Sequence, residues 1–397
     1  MGAAAGIADI EFFDATRIDA ACRGFSGVVA VGRHLYFAPL NNGDFHGRVL
    51  RHDTAGEFAD PAAWDVFDCA TLDPAARGFV DVLSDGRHLY LVPFCNGLHH
   101  GRVVRHDTQG GFRDPASWQV FDLQSLQPEA RGFVSGCFDG RHVYFAPYQL
   151  DHATTNGLIA RFDTQSEFGV AASWRFFDAT QVHPDCCGFH SAIDDGAGHV
   201  LFVPYLREGK TYNGRLLRLD ARKDFADPSA WESFDLTTLD PHCKGYVGGC
   251  CRDGQLYLAP YFDGADRHGR ALRFDTRGRL ADPAAWTLFD CATLDPGSRG
   301  FFGAVADADY LYLIPHCRGV GQYHGQITRY RRAMDFAAAA AWSFHDLGRD
   351  HPLARGFIGG ALHGGHLYLA PFETDAGCHS GLVARLCTDA EQLWSSS

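Results

Sequence analysis

The sequence predicts an all-β fold: a seven-bladed β-propeller of four-stranded antiparallel blades. Three observations carry that prediction. A Gly-aromatic pair recurs at Gly24, Gly78, Gly132, Gly188, Gly245, Gly300 and Gly356, at spacings of 54 to 57 residues. The chain's seven tryptophans, Trp64, Trp118, Trp174, Trp231, Trp286, Trp342 and Trp394, keep the same beat, one per repeat. Inside each repeat, runs of five to eight β-branched and aromatic residues lack helical period and are separated by Gly, Pro and Asp. Seven such units stack naturally as blades around an axis.

The second repeat shows the elements in order. GFVDVLS is the innermost strand. SDGR is a tight turn, because Asp-Gly supplies positive φ cheaply. HLYLVPF is the second strand, ended by proline, and a variable loop, CNGLHH, follows. GRVVRHD is the third strand, and WQVFDL the fourth after a polar Gly/Pro segment. The last repeat lacks a fourth strand, and IEFFDAT at 10–16 matches the fourth-strand phrase DVFDCAT at 65–71. Residues 10–16 are therefore expected to complete the last blade and close the ring, which removes open sheet edges. The whole chain, 1–397, reads as one domain.

RHLYFAP at 33, RHLYLVP at 87, RHVYFAP at 141 and QLYLAP at 255 resemble a group of bacterial seven-bladed propeller repeat proteins. Their blades read like DGR-[HY]-[LV]-Y-F-x-P-Y. The resemblance covers nearly the whole chain and implies the fold; it attaches no activity, which has to come from sites placed on the fold.

Composition narrows the function classes. Hydrophobic residues make up 46% of the chain, yet no apolar run approaches 18 residues, so no membrane span is expected. The opening MGAAAGIADIEFFD has no basic n-region or long apolar stretch, so no signal peptide is expected. Gly6 stands where myristoylation wants Ser or Thr. A net charge of −13 argues against general nucleic-acid affinity. Thirteen cysteines, an odd number without a secretion signal, point to reduced thiols. The expectation is a cytoplasmic monomer whose partner is a small, anionic molecule.

A seven-copy repeat is its own control: positions shared by most blades read as scaffold, and positions that break the pattern are where function can sit. The Arg-x-Asp-Thr phrase and the Phe-Asp pairs of the fourth strand recur and read as turn chemistry. Most cysteines share slots with small or aliphatic residues and read as packing. In a propeller the fourth-to-first and second-to-third connections lie on one face, and four features converge there.

First, Arg23, Arg77, Arg131, Lys244, Arg299 and Arg355 precede the innermost strands. They read either as a ring that attracts a carboxylate or phosphate, or as partners of Asp19, Asp73, Asp240 and Asp295. Second, the loop-to-third-strand junction is His-Gly at His46, His100, His268 and His324, and Asn156, Asn213 or Ser380 elsewhere. Such interchange suggests hydrogen bonding at a turn. Third, His316 replaces the aromatic residue that usually follows the proline. With His268, His324 and His379 on the same face it offers ligands for a divalent transition metal, or turn-bonding imidazoles. Fourth, in DCCGFHSA, residues 185–192, Cys187 replaces the cation and His190 takes a slot that holds Ser26, Val80, Val134, Val247, Phe302 or Ile358 elsewhere. Asp81 is a similar departure on blade 2. His190 reads as a general base or a metal ligand, Cys187 as a nucleophile and Asp81 as a further catalytic candidate, or else as a buried His bonded to a neighbouring blade and a Cys filling a smaller gap.

Two functions are consistent with these features. One is an enzyme with one asymmetric site at the funnel mouth, of lyase or isomerase type and metal-assisted. The other is a non-catalytic binding propeller, lectin-like or scaffold. The sequence holds no hydrolase triad, phosphate loop or nucleotide motif.

Overall fold

The structure is a computed structural model that describes residues 9–208 and 211–396; Gly6 lies outside the described residues. Seven antiparallel sheets form, each with four meandering strands. Blade 1 is Phe25–Val31, His34–Pro39, Arg48–Asp53 and Trp64–Asp68. The innermost strands of blades 2 to 7 are Phe79–Ser84, Phe133–Phe138, Phe189–Asp194, Tyr246–Arg252, Phe301–Ala306 and Phe357–His363. Each packs against the next, and the innermost strand of blade 7 packs against that of blade 1, so the ring is closed. Ile10–Asp14 pairs antiparallel with Leu382–Cys387 as the outer strand of blade 7, as the sequence predicts.

Repeated side chains explain why blades stack. The indole of Trp118 donates to the Phe112 carbonyl at 2.9 Å and lies flat on Phe67 of the preceding blade, with ring centroids 4.4 Å apart. Such a buried stack adds about 0.5–1.5 kcal/mol beyond its apolar area. Arg51 of the Arg-x-Asp phrase reaches over Phe112 of the next blade at 4.3 Å. Asp122 of the Phe-Asp pair caps a 3-10 turn by accepting from the Gln124 amide. These recurrent phrases are scaffold, as expected.

Trp394 departs from the beat. The N-terminal strand holds the place that an outer strand beginning at Trp394 would take, with Ile10 opposite Leu386 where Trp174 stands opposite Phe162 in blade 3. The chain end instead lays Ser395–Ser396 along Ser343 and Phe344 as a fifth strand on blade 6. The Trp394 ring lies 4.3 Å from the Arg329 guanidinium there.

At the Asp-Gly turn of blade 2, Asp85 accepts from the Arg87 and His88 amides, the His88 ring and the Tyr90 hydroxyl. Burial alone would raise its carboxyl; these donors outweigh it and hold the group below the usual range. At the opposite end, Gly78 has φ +74°, and a Cβ there would stand 1.6 Å from the Cys95 carbonyl oxygen. The Gly of each Gly-aromatic pair thus lets the chain pass under the variable loop before entering the channel wall.

Candidate functional site

The innermost strands enclose a central cavity of about 220 Å³. One ring of its wall is Gly27, Asp81, Ser135, Ser191, Gly248, Gly303 and Gly359, one residue per blade. Four positions present only backbone, so the polar side chains gather on blades 2 to 4. Ser135 donates to Asp81 Oδ2 at 2.7 Å and lies 3.4 Å from the Ser191 hydroxyl. Asp81 Oδ1 accepts from the Val82 amide at 2.8 Å. Burial outweighs these two bonds and pushes the carboxyl up to about 6. A Cβ at Gly27 would stand 2.1 Å from Asp81 Oδ1, so the missing side chain makes room for this carboxylate.

His190 also lines the cavity, on its loop side. It is 8% exposed and packed among aromatic rings: Phe302 at 5.0 Å, Tyr205 at 5.3 Å and Tyr148 at 5.7 Å, all edge-on. Burial holds its imidazole down at about 4, so it is neutral at pH 7. Cys187 is not a cavity residue. It lies beneath the blade 3 and blade 4 loops, where Thr155 donates to its Sγ at 3.3 Å, and burial pushes its thiol up. A buried thiol with a raised pKa and no imidazole bonded to it is not an activated nucleophile. The two departures in DCCGFHSA therefore separate: the imidazole faces the axis and the sulfur fills a gap.

Above His190, the residues after each proline form a collar. Consecutive centroids of Phe94, Tyr148, Tyr205, Tyr261, His316 and Phe372 lie 5.9–6.5 Å apart around the mouth. Phe302 reaches in from blade 6 to touch Tyr261 at 5.1 Å and His316 at 4.9 Å as well as His190. Phe94, Tyr148, Tyr205, Phe302 and Phe372 are half-buried.

Outside the collar is a slot held by Phe45, His99, Thr155, Tyr212, Arg267, Tyr323 and His379, each bridging back across its own loop. Arg267 lies 4.0 Å over the Tyr261 ring and 4.6 Å over Phe262. Among the described residues no carboxylate lies within 4.0 Å of its guanidinium. Arg267, Tyr148, Tyr205 and Phe302 were not among the sequence-derived candidates. The signal was present: this slot holds five residue types across seven blades while its neighbours repeat.

The histidines before Gly are hinges of the loop. His100 and His268 place Nε2 2.9 and 3.1 Å from the carbonyls of Arg77 and Lys244, and Asn156 donates to the carbonyl of Arg131 at 2.9 Å. His324 Nδ1 accepts from the Gln326 amide. His316 is buried and held down at about 3, and His379 Nδ1 is 3.7 Å from Glu373, which also accepts from the Tyr323 hydroxyl. Among the described residues, no three His, Cys, Asp or Glu side chains converge as a metal-ligand set. His268 and His324 each commit one ring nitrogen to the backbone.

The cations divide. Arg299 pairs with Asp266 at 3.2 Å and Arg355 with Asp375 at 3.4 Å. Arg23, Arg77, Arg131 and Lys244 have no carboxylate within 4.0 Å among the described residues. The acids expected to partner them are taken elsewhere: Asp19 by Arg48, Asp73 by Arg102 and Asp240 by Arg270, while Asp295 binds Gln326. None of the six lines the central cavity; Arg131 and Lys244 each border a groove between adjacent loops.

The fold and this site define a seven-bladed β-propeller with a uniform rim and a divergent loop face. No protein-family model matches the chain, and no curated protein matches it significantly. No helix among the described residues is long and apolar enough to cross a membrane.

Proposed function

We propose that the loop-face funnel binds one small anionic molecule and that His190 moves a proton on it, in chemistry of lyase or isomerase type. The observation that carries this reading is Arg267: an unpaired guanidinium stacked on the collar, in a slot where no other blade has a cation. A carboxylate on Arg267 would lay an attached flat or apolar group over Tyr261 and Tyr205, which leads to His190. A neutral imidazole is the form able to accept a proton, and an anion beside it would raise its basicity. Asp81, about half ionised near pH 6, is the second group able to exchange protons with the cavity.

The test uses benzoate, which joins a carboxylate to a flat apolar ring, titrated by calorimetry and imidazole NMR. A saturable shift of the His190 resonance, with one site of that kind per chain, is the expected result. Arg267→Gln is expected to weaken binding about tenfold, the worth of one charge-assisted contact. Unchanged binding in that variant would remove the reading. A second reading, a non-catalytic binding propeller, is favoured by the grooves at Arg131 and Lys244, which occupy equivalent positions between blades. Stoichiometry separates the two: several equivalent sites favour the second.

A further inference from the structure

The groove between the loops of blades 2 and 3 is a cavity of about 430 Å³ set beside the funnel. Arg131, His99, His152, Leu98, Asn96 and Gln124 are among its walls. We propose that this groove is an oxyanion site separate from the funnel, which takes the phosphate or carboxylate of a small molecule on Arg131.

The repeat supplies the comparison. Arg299 and Arg355 occupy the same slot and are neutralised by Asp266 and Asp375. Arg131 makes no ion pair within 4.0 Å among the described residues; its Nε is buried without a hydrogen-bond partner, as are those of Arg77, Arg299 and Arg355, so the missing carboxylate is what sets it apart from the last two. Partial burial of a guanidinium without an anion costs free energy that a bound oxyanion would recover. Asn156 holds the Arg131 carbonyl, which fixes the residue at the groove.

The other charged groups of the groove are already engaged. Asp151 accepts from the Ala153 and Thr154 amides of its own loop, both at 2.8 Å. Arg102 pairs with Asp73 at 3.1 Å and Asp122 at 3.4 Å. His99 is 6% exposed, with its ring 5.3 Å from the exposed His152 and 5.0 Å from Phe94 of the collar. The two imidazoles offer ring N–H donors beside the guanidinium. Leu98, 79% exposed at the loop tip, offers apolar contact to whatever carries the anion. The equivalent cavity at Lys244 also has a carboxylate in its wall, but there Asp263 is paired with His242 at 2.8 Å, whereas Asp151 bonds its own loop.

The test titrates sodium phosphate, and separately sodium acetate, into the full chain at constant ionic strength, read by calorimetry and the imidazole resonances of His99 and His152. Saturable binding that shifts both histidines is expected. Saturation by both anions supports a general oxyanion site, and saturation by phosphate alone supports a phosphate ester as the natural group. Arg131→Gln is expected to weaken binding about tenfold or more, whereas Arg299→Gln changes it less than about twofold. His152→Ala, on an exposed ring, is expected to weaken it about threefold, and keeps the test usable should the Arg131 variant not fold. Arg267→Gln is expected to leave this binding intact, which separates it from the funnel reading. Absence of saturation by either anion, or wild-type affinity in Arg131→Gln, would overturn the proposal.

Discussion

The two ends of each blade are built from the same strands and have opposite characters. At the Asp-Gly turns, one arrangement recurs: Asp85, Asp139 and Asp195 each collect amide and imidazole donors, and two of them also take a tyrosine hydroxyl. At the loop face the chain passes seven times under a bridged loop of varying length, and the side chains displayed there differ from blade to blade. The turn end is stabilised by repetition. The loop end presents unlike groups around one axis, among them Arg131 and Arg267, which make no ion pair within 4.0 Å among the described residues. Repeated contacts thus gather at one face of the scaffold and divergent side chains at the other.

Substitutions can break that division, beginning with the largest effect. Gly78→Ala forces an L-residue to φ +74° and drives a methyl into the Cys95 carbonyl. A loss of about 3 kcal/mol or more is expected in chemical denaturation. Gly43→Ala, also at positive φ but with open space around it, is expected to cost about 1 kcal/mol. Equal costs would mean that loop clearance does not shape this face. Asp85→Ala leaves the Tyr90 hydroxyl and the His88 amide without an acceptor and is expected to cost about 2–3 kcal/mol.

Acid should act through the buried histidines. Burial holds His46, His100, His106 and His190 at about 4, against an unfolded value near 6.5. Between those values the unfolded chain binds more protons, so stability rises with pH there and falls on acidification. Circular dichroism is expected to show unfolding as pH drops from 6.5 towards 4. A fold unchanged at pH 4 would contradict these burials.

Asp81 should titrate the other way. Its folded value is raised, so its penalty is absent below about 4 and complete above about 6. Asp81→Ser, which copies Ser135 and Ser191, is expected to add about 1–2 kcal/mol at pH 7 and nothing near pH 4. The smallest effect belongs to His190→Val. Val80, Val134 and Val247 fill the same slot, so stability should change by less than about 1 kcal/mol while the proposed function is lost. His100→Val, by contrast, removes the bond to the Arg77 carbonyl and should destabilise without bearing on the ligand.

The fold was legible because seven copies of Gly-aromatic, Asp-Gly and Trp phrases fix strand count, turns and closure. The exception is Trp394, whose sequence beat matches the others while the N-terminal strand already holds its place. The site was legible in part. His190 and Asp81 could be found because they break a repeated pattern, and both line the cavity. Cys187 breaks the pattern equally and fills a gap, since one sequence position cannot tell which way a side chain turns. Of the acids near the cations in sequence, Asp19, Asp73 and Asp240 are paired with other arginines and Asp295 with Gln326, so sequence proximity misassigned them. Arg267 was hidden in a loop of variable length, where only the bridge to Phe262 reveals which residues share a slot.

The measurement that tests the account most directly is the protonation state of His190, followed by NMR down to pH 5, with and without benzoate, its resonance assigned by His190→Val. A neutral imidazole in the free protein whose resonance shifts saturably with benzoate, and no comparable shift at His106, stacked on Trp118, is the predicted result. Titration of His190 near 6.5, or a benzoate response shared equally by His106, would contradict a single asymmetric site at the funnel.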